Sequence, residues 1–276
     1  MKKTGMEVSW QPDNMEYEHK FAGRGAVITG ASRGIGRAIA IGLAAKGADV
    51  ALLSRHYDKA EEAASYIRDM WPYARTYPYS CDVRDHKQVL ETFEDASERL
   101  NNIHILVNNA GINARRALNP EAEGWMGDFE DSLRDWEDEL ATNLTGTYIC
   151  SYVAAGYMLR QGQGSIINIS SIKGKEPTSS PGYGASKAGV IKLTRDFAKS
   201  LGPHGIRVNC IAPGFIDTGM TAELPDKKKR AYKSMIPQGR FGDVGEVAMV
   251  VSFLASGEAE YINGACIDVN GGYLMD

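Results

Sequence analysis

Cysteine and histidine are scarce in this sequence and poorly placed for cross-linking or metal binding. The four cysteines, Cys81, Cys150, Cys210 and Cys266, lie far apart and form no C-x-x-C pair. That argues against a disulfide framework and predicts buried free thiols in a reducing, cytoplasmic setting. The five histidines (His19, His56, His86, His104, His204) form no H-E-x-x-H and pair with no cysteine at ligand spacing, so no metal is expected. No apolar run approaches the ~18 residues a membrane span requires. Residues 1–20 also lack the apolar core of a signal peptide and read as an extension ahead of a domain over 21–276. A basic excess is missing too: the net charge of −4 argues against a general nucleic-acid binder.

What is present is an alternation. Short runs rich in Val and Ile, "GAVITG" (25–30), "ADVALLS" (48–54), "IHILVNN" (103–109), "GSIINISS" (164–171), "GIRVNCIAP" (205–213) and "YINGACIDVNGG" (261–272), read as strands. Helical-period segments separate them, including 34–47, 58–70, a long one from Ser132 to about Gln161, and 183–201. Strands alternating with helices mean βαβ units and a parallel sheet covered on both faces, an α/β doubly wound Rossmann-type domain.

"TGASRGIG" (29–36) places three glycines where a strand ends and a helix begins. Gly30 permits the turn, while Gly34 and Gly36 let backbone approach a pyrophosphate held at the helix N-terminus. Ser32, Arg33 and Ile35 lie in the same turn. The spacing, G-x-x-x-G-x-G, differs from the usual dinucleotide fingerprint. The second strand ends in Ser54 and Arg55, where an NAD site would carry an acid for the ribose 2′-hydroxyl. Arg33 and Arg55 instead suit a 2′-phosphate, so the expected cofactor is NADP(H); the alternative is that both arginines are simply solvated.

Seven motifs then follow in order: "TGASRGIG", "CDV" (81–83), "NNAG" (108–111), "TNLTG" (142–146), "NISS" (168–171), "YGASK" (183–187) and "APGFIDT" (212–218). On these the chain resembles the short-chain dehydrogenase/reductase family from about Arg24 to Tyr273. It looks most like the 3-oxoacyl-carrier-protein reductases and the gluconate and sugar dehydrogenases within that family. The resemblance implies a seven-stranded parallel sheet and a homotetramer. It implies that Asp82 and Val83 bind the adenine and that Asn109, Ala110 and Gly111 line the cofactor. Pro213, Gly214, Ile216 and Thr218 would hold the nicotinamide carboxamide and diphosphate. The implied catalytic set is Asn143, Ser171, Tyr183 and Lys187. Counting back from the tyrosine as the family commonly does points to Ser170, but the "S-I-K-G" pattern (171–174) favours Ser171.

Tyr183 and Lys187 are four apart, so a helix places them on one face, with Lys187 also holding the nicotinamide ribose. A free tyrosine has a pKa near 10, too high for a base near neutrality. An ammonium about 5 Å away at an effective dielectric of about 20 contributes on the order of 3 kcal/mol, a lowering of about 2 pKa units, which desolvation opposes. The expected reaction is reduction of a small-molecule carbonyl, or oxidation of the alcohol, with Ser171 and Tyr183 on the oxygen. Asn143 would anchor a proton-relaying water, or be a buried polar side chain at a kink of the long helix. Ser171 is a poor nucleophile, with no acid or histidine nearby in sequence to activate it. A non-catalytic NADP(H)-binding regulator would not need the tyrosine.

Substrate choice belongs elsewhere. Residues 217–240 read as a lid. Its Lys227, Lys228, Lys229, Arg230 and Lys233 would attract an anionic substrate or an acidic carrier, or form a solvated helix face. Arg115 and Arg116 are placed to meet a carboxylate or phosphopantetheine. The acidic stretch 119–131 looks longer than the family's connection.

Overall fold

The computed structural model describes residues 20–114, 129–218, 221 and 225–275. The apolar runs form seven strands: β1 Gly25–Thr29, β2 Asp49–Ser54, β3 Thr76–Ser80, β4 Ile105–Asn108, β5 Gly164–Ile169, β6 Ile206–Pro213 and β7 Cys266–Val269. All pair in parallel in the order β3-β2-β1-β4-β5-β6-β7. Every residue of β1 and β2 is buried, as a sheet covered on both faces demands. Alternate side chains serve opposite faces. Ala26 and Ile28 pack with helices α1 (Gly34–Ala45) and α2 (Tyr57–Met70), while Val27 packs with α3 (His86–Arg99).

The long helix expected from Ser132 is interrupted. It consists of α4 (Phe129–Glu139), a π-helical turn (Leu140–Thr145) and α5 (Gly146–Gln161). The wide turn carries Asn143, whose side chain is fully buried and bonded to another segment. Such turns recur at functional sites. Helix α6 (Pro181–Leu201) follows β5.

Strand β7 is shorter than the expected 261–272. Gly264 turns the chain at φ +77°. Asn263 accepts from the Val208 N–H at 2.9 Å, so a side chain takes over from the ladder. Within the proposed lid lies a helix, α7 (Asp226–Met235), with no buried residue; Lys233 Nζ lies 5.3 Å from the Phe241 ring centroid. Helix α8 (Val244–Ala255) was absent from the sequence expectations; a complete capping box of Asp243 and Glu246 starts it, and it packs on α1. All four cysteines are free; Cys266 is only partly buried, because β7 is short and lies at the sheet edge.

Candidate active site

Because every strand runs the same way, all seven carboxyl ends open onto one edge of the sheet, and the strand order reverses between β1 and β4, where α/β sheets bind ligands. The two ends are stitched together there. Thr29 Oγ1 accepts from the N–H groups of Asn109 and Ala110, each at 3.0 Å. Asn109 Nδ2 donates to the carbonyls of Thr29 and Gly30 at 3.0 and 3.1 Å. A Cβ on Gly36 would collide with the Gly30 carbonyl oxygen, so α1 approaches the turn closely only without one.

Helix α1 has no acidic residue in its first turn and no side-chain cap, whereas Asp85 and Asp243 cap α3 and α8. Arg33, its N-cap residue, is exposed, while Ser32 and Ile35 are half-buried. Gly34 sits at φ +55° with only Thr218 Cγ2 near the place a Cβ would occupy, at 3.8 Å. Unpaired helix N–H groups beside open space fit a diphosphate.

Beyond β2 the buried Ser54 turns its Oγ to the His56 N–H at 3.3 Å, and Arg55 is exposed. Asp82, after β3, is bound by Arg84, with Nη2 2.7 Å from Oδ2. That hydrogen bonding holds the Asp82 carboxyl below its ordinary range, and Arg55 adds to the effect. The Asp82 carboxylate is thus paired with a guanidinium. Val83 packs against Gly146.

The two serines after β5 face different partners. Ser170 Oγ donates to the Lys187 carbonyl at 2.7 Å. Ser171 caps the short turn Ile172–Gly174, accepting from the Lys173 N–H at 3.1 Å, and is hydrogen-bonded to the Tyr183 side chain. Geometry therefore places Ser171 beside the tyrosine. Lys187 is 4 % exposed, lies 5.8 Å from the Tyr183 ring centroid and donates to the Ile169 carbonyl at 2.8 Å. Burial pushes its pKa down to about 8. Burial pushes the Tyr183 phenol up, against the Ser171 hydrogen bond. Of the two opposed influences, desolvation is the larger in the protein alone, and the lysine is turned to a carbonyl.

Asn143 spends its amide on protein. Its Oδ1 accepts from the Ile112 N–H at 2.8 Å, and Nδ2 donates to the Ile112 carbonyl and to Ser186 Oγ at 2.9 and 3.0 Å. A Cβ on Gly111 would lie 3.2 Å from Asn143 Oδ1 and 3.3 Å from Lys187 Nζ, so this backbone faces the same cleft. From the other side, Pro213 ends β6, Gly214 donates to the Val269 carbonyl at 2.9 Å, Ile216 is buried, and the Thr218 N–H donates to Thr221 Oγ1 at 2.8 Å. Arg115, Arg116, positions 119–128 and the extension up to 19 lie outside the described residues.

Residues 30–274 match the family model described as enoyl-(acyl carrier protein) reductase. The 3-oxoacyl-[acyl-carrier-protein] reductase of Aquifex aeolicus is 39% identical over 256 residues, covering 92% of this chain and 99% of that protein. The chain belongs to the short-chain dehydrogenase/reductase family. It is an oxidoreductase of that family. The 3-oxoacyl-[acyl-carrier-protein] reductase of Thermotoga maritima is 37% identical over 93% of this chain and all of its own. The solved 3-oxoacyl-[acyl-carrier protein] reductase of Brucella melitensis superposes with a TM-score of 0.86 at 29% identity, covering 100% and 99% of the two chains. A candidate gluconate dehydrogenase from Agrobacterium tumefaciens gives 0.84 at 31%, covering 95% and 100%.

Beneath this short-chain dehydrogenase/reductase cleft lies a buried polar ladder that the sequence expectations missed. Asn108 Nδ2 donates to Ser151 Oγ and Asn168 Oδ1, and Asn168 Nδ2 to Thr194 Oγ1, at 2.8 to 2.9 Å. It ties β4 and β5 to α5 and α6. The signal was an asparagine in each of two apolar strands, "LVNN" and "IINIS", where an unpartnered amide is costly.

Proposed function

We propose that the protein is an NADP(H)-dependent ketoreductase, with 3-oxoacyl thioesters as its first substrate class. The observation that carries this reading is Tyr183 with Ser171 beside it and buried Lys187 one helical turn on, its Nζ 5.8 Å from the tyrosine ring centroid, at the carboxyl edge of the sheet. The bound dinucleotide supplies or accepts the hydride. Everything else falls to the chain. Ser171 and Tyr183 are hydroxyl donors for one substrate oxygen, which suits a carbonyl rather than a carbon–carbon double bond. Tyr183, with its phenol held protonated, is the acid for the developing alkoxide, and the base in the reverse direction. Lys187 and Tyr183 would hold the nicotinamide ribose. Asn143 keeps the Gly111–Ile112 backbone in place over Lys187.

The uncapped start of α1 supports diphosphate binding, and Arg33 and Arg55, with no acid at the end of β2, support the 2′-phosphate. A sugar-acid or polyol dehydrogenase is the second reading, supported by the Agrobacterium neighbour's likeness. A non-catalytic NADP(H) sensor would leave the Ser–Tyr–Lys arrangement without a use.

The decisive experiment follows consumption of NADPH, with NADH in parallel, against a 3-oxoacyl thioester, a keto-sugar acid and an activated ketone. The expected result is NADPH preference and the thioester turned over best. Arg55→Asp is expected to raise the KM for NADPH about 10²-fold, the loss of one charge-assisted contact made a repulsion, without harming NADH. Equal use of both cofactors by the unaltered enzyme would sink the NADP assignment. Tight NADPH binding without turnover of any substrate would favour the sensor.

The homotetramer is likewise a proposal. Tyr148, Tyr152 and Leu159 on α5, and Met249 and Phe253 on α8, are exposed apolar side chains on helices available for packing. A light-scattering mass of one protomer would contradict it. Among the described residues no helix is long and apolar enough to cross a membrane.

A further inference from the structure

One buried acid next to the proposed catalytic pair has no part in the chemistry above. Glu139 closes α4 and is 3 % exposed. Its Oε1 accepts from the Ala114 N–H at 2.8 Å, and its Oε2 lies against Gly182, the residue before Tyr183. Tyr183 is the third residue of α6, whose own N-cap residue, Ser180, supplies no side-chain cap. Glu139 therefore sets its carboxylate beside the first turn of that helix, reaching in from another one. A Cβ on Gly182 would strike Glu139 Oε2, so the glycine before Tyr183 makes room for the carboxylate.

Four residues on, Asn143 takes both backbone groups of Ile112. Glu139 and Asn143 thus hold alternate residues, 112 and 114, much as a neighbouring strand would. The clamp joins the segment after β4 to the helix that bears Tyr183.

We infer that Glu139 is a positioning residue that fixes a negative charge against Tyr183, holds the phenol protonated, and so sets the pH at which the enzyme passes from reducing carbonyls to oxidising alcohols. The inference rests on the assignment of Tyr183 as the acid–base group. Among the described residues the charges around it are few. Lys187, on α6 itself, opposes Glu139 but is turned to the Ile169 carbonyl. Asp135, one turn earlier on α4, adds negative charge at Glu139. Lys173 and Glu176, beyond β5, pair with each other, and Ser171 offers a neutral hydroxyl. Residues 111–114 carry no charge. Of these groups, Glu139 raises the phenol electrostatically. Its own carboxyl is pushed up by burial but remains ionised in the alkaline range where a tyrosine titrates.

The test is the pH profile of NADP⁺-linked alcohol oxidation. Oxidation needs the phenolate, so kcat/KM climbs with pH along a limb that reports Tyr183. Glu139→Gln is expected to move that limb down by about one pH unit, the usual size of one nearby charge. Loss of carbonyl reduction with rising pH should move down with it. Glu139→Asp keeps the charge on a shorter arm, so its limb should stay near the unaltered position even if the rate falls. An ultraviolet titration of phenolate, with the Tyr183→Phe signal subtracted, should show the same shift without substrate. A limb unmoved in Glu139→Gln, with rate lost equally at every pH, would mean a clamp only and overturn the inference. Full activity in Tyr183→Phe would overturn the acid–base assignment instead, and the inference with it.

Discussion

Tyr183→Phe is expected to lower kcat/KM for carbonyl reduction by about 10³-fold, the middle of the range that one positioned proton donor contributes. Only the hydroxyl is lost. The ring stays where α6 puts it, and the Ser171 hydroxyl keeps its bond from the Lys173 N–H. Dinucleotide affinity should fall by no more than the one ribose contact of that hydroxyl, and the melting temperature should move by only a few degrees, since the net worth of one hydrogen bond is about 1 kcal/mol. The loss should appear in kcat rather than KM, because the proton is needed in the transition state and not for binding. With the phenol raised by burial, reduction should stay level through neutral pH and fall only as Tyr183 ionises. Oxidation should do the reverse. A mutant retaining a tenth of the activity or more would remove Tyr183 from the mechanism.

Lys187→Met should separate activity from stability. Nζ faces the cleft between Gly111 and the Ile169 carbonyl, so its removal is expected to cost on the order of 10²-fold in kcat/KM by loss of electrostatic stabilisation and ribose binding. Stability should move the other way. The folded-state pKa of about 8 lies below the unfolded value near 10.4. Between these two values the unfolded chain binds more protons, so stability rises with pH across that window, and the full penalty applies below pH 8. The shift corresponds to about 3 kcal/mol at neutrality, less ~1 kcal/mol for the Ile169 carbonyl left without its donor. Urea unfolding at pH 7 should therefore show the methionine protein to be more stable. The difference should shrink through pH 8 to about 10.4. A protein destabilised at pH 7, with no narrowing on the alkaline side, would mean that the ammonium contributes net stability.

What the sequence made legible was what lies on one element. The glycine turn joins one strand to one helix, and Tyr183 and Lys187 share a helical face, so spacing alone brings their side chains together. Strands buried on both faces show as unbroken apolar runs, which is why β1, β2, β4, β5 and β6 were placed correctly. Ambiguity arose where periodicity fails. "VAMVVSFLA" suits strand or helix equally, and only the Asp243–Glu246 box marks it as α8. "YINGACIDVNGG" alternates like a strand, but the Asn263 side chain takes the Val208 N–H and Gly264 turns the chain at φ +77°. Ser170 and Ser171 could not be separated by counting; the Lys187 carbonyl takes one hydroxyl and Tyr183 the other. Glu139 was out of reach altogether. Its contacts come from residues 114 and 182, which only the fold brings to it. Nor can spacing report burial, the influence that raises the Tyr183 phenol.

The bare start of α1 has a thermodynamic consequence. Its first N–H groups have no side-chain cap, so the native state is left with donors that a phosphate would satisfy. A ligand that binds only the folded chain adds RT ln(1 + [L]/Kd) to its stability, about 2.7 kcal/mol at a hundredfold excess over Kd. The dinucleotide then becomes the last piece of the fold as well as a reactant. Heat resistance would follow mass action, rising and falling with the cofactor concentration around the protein.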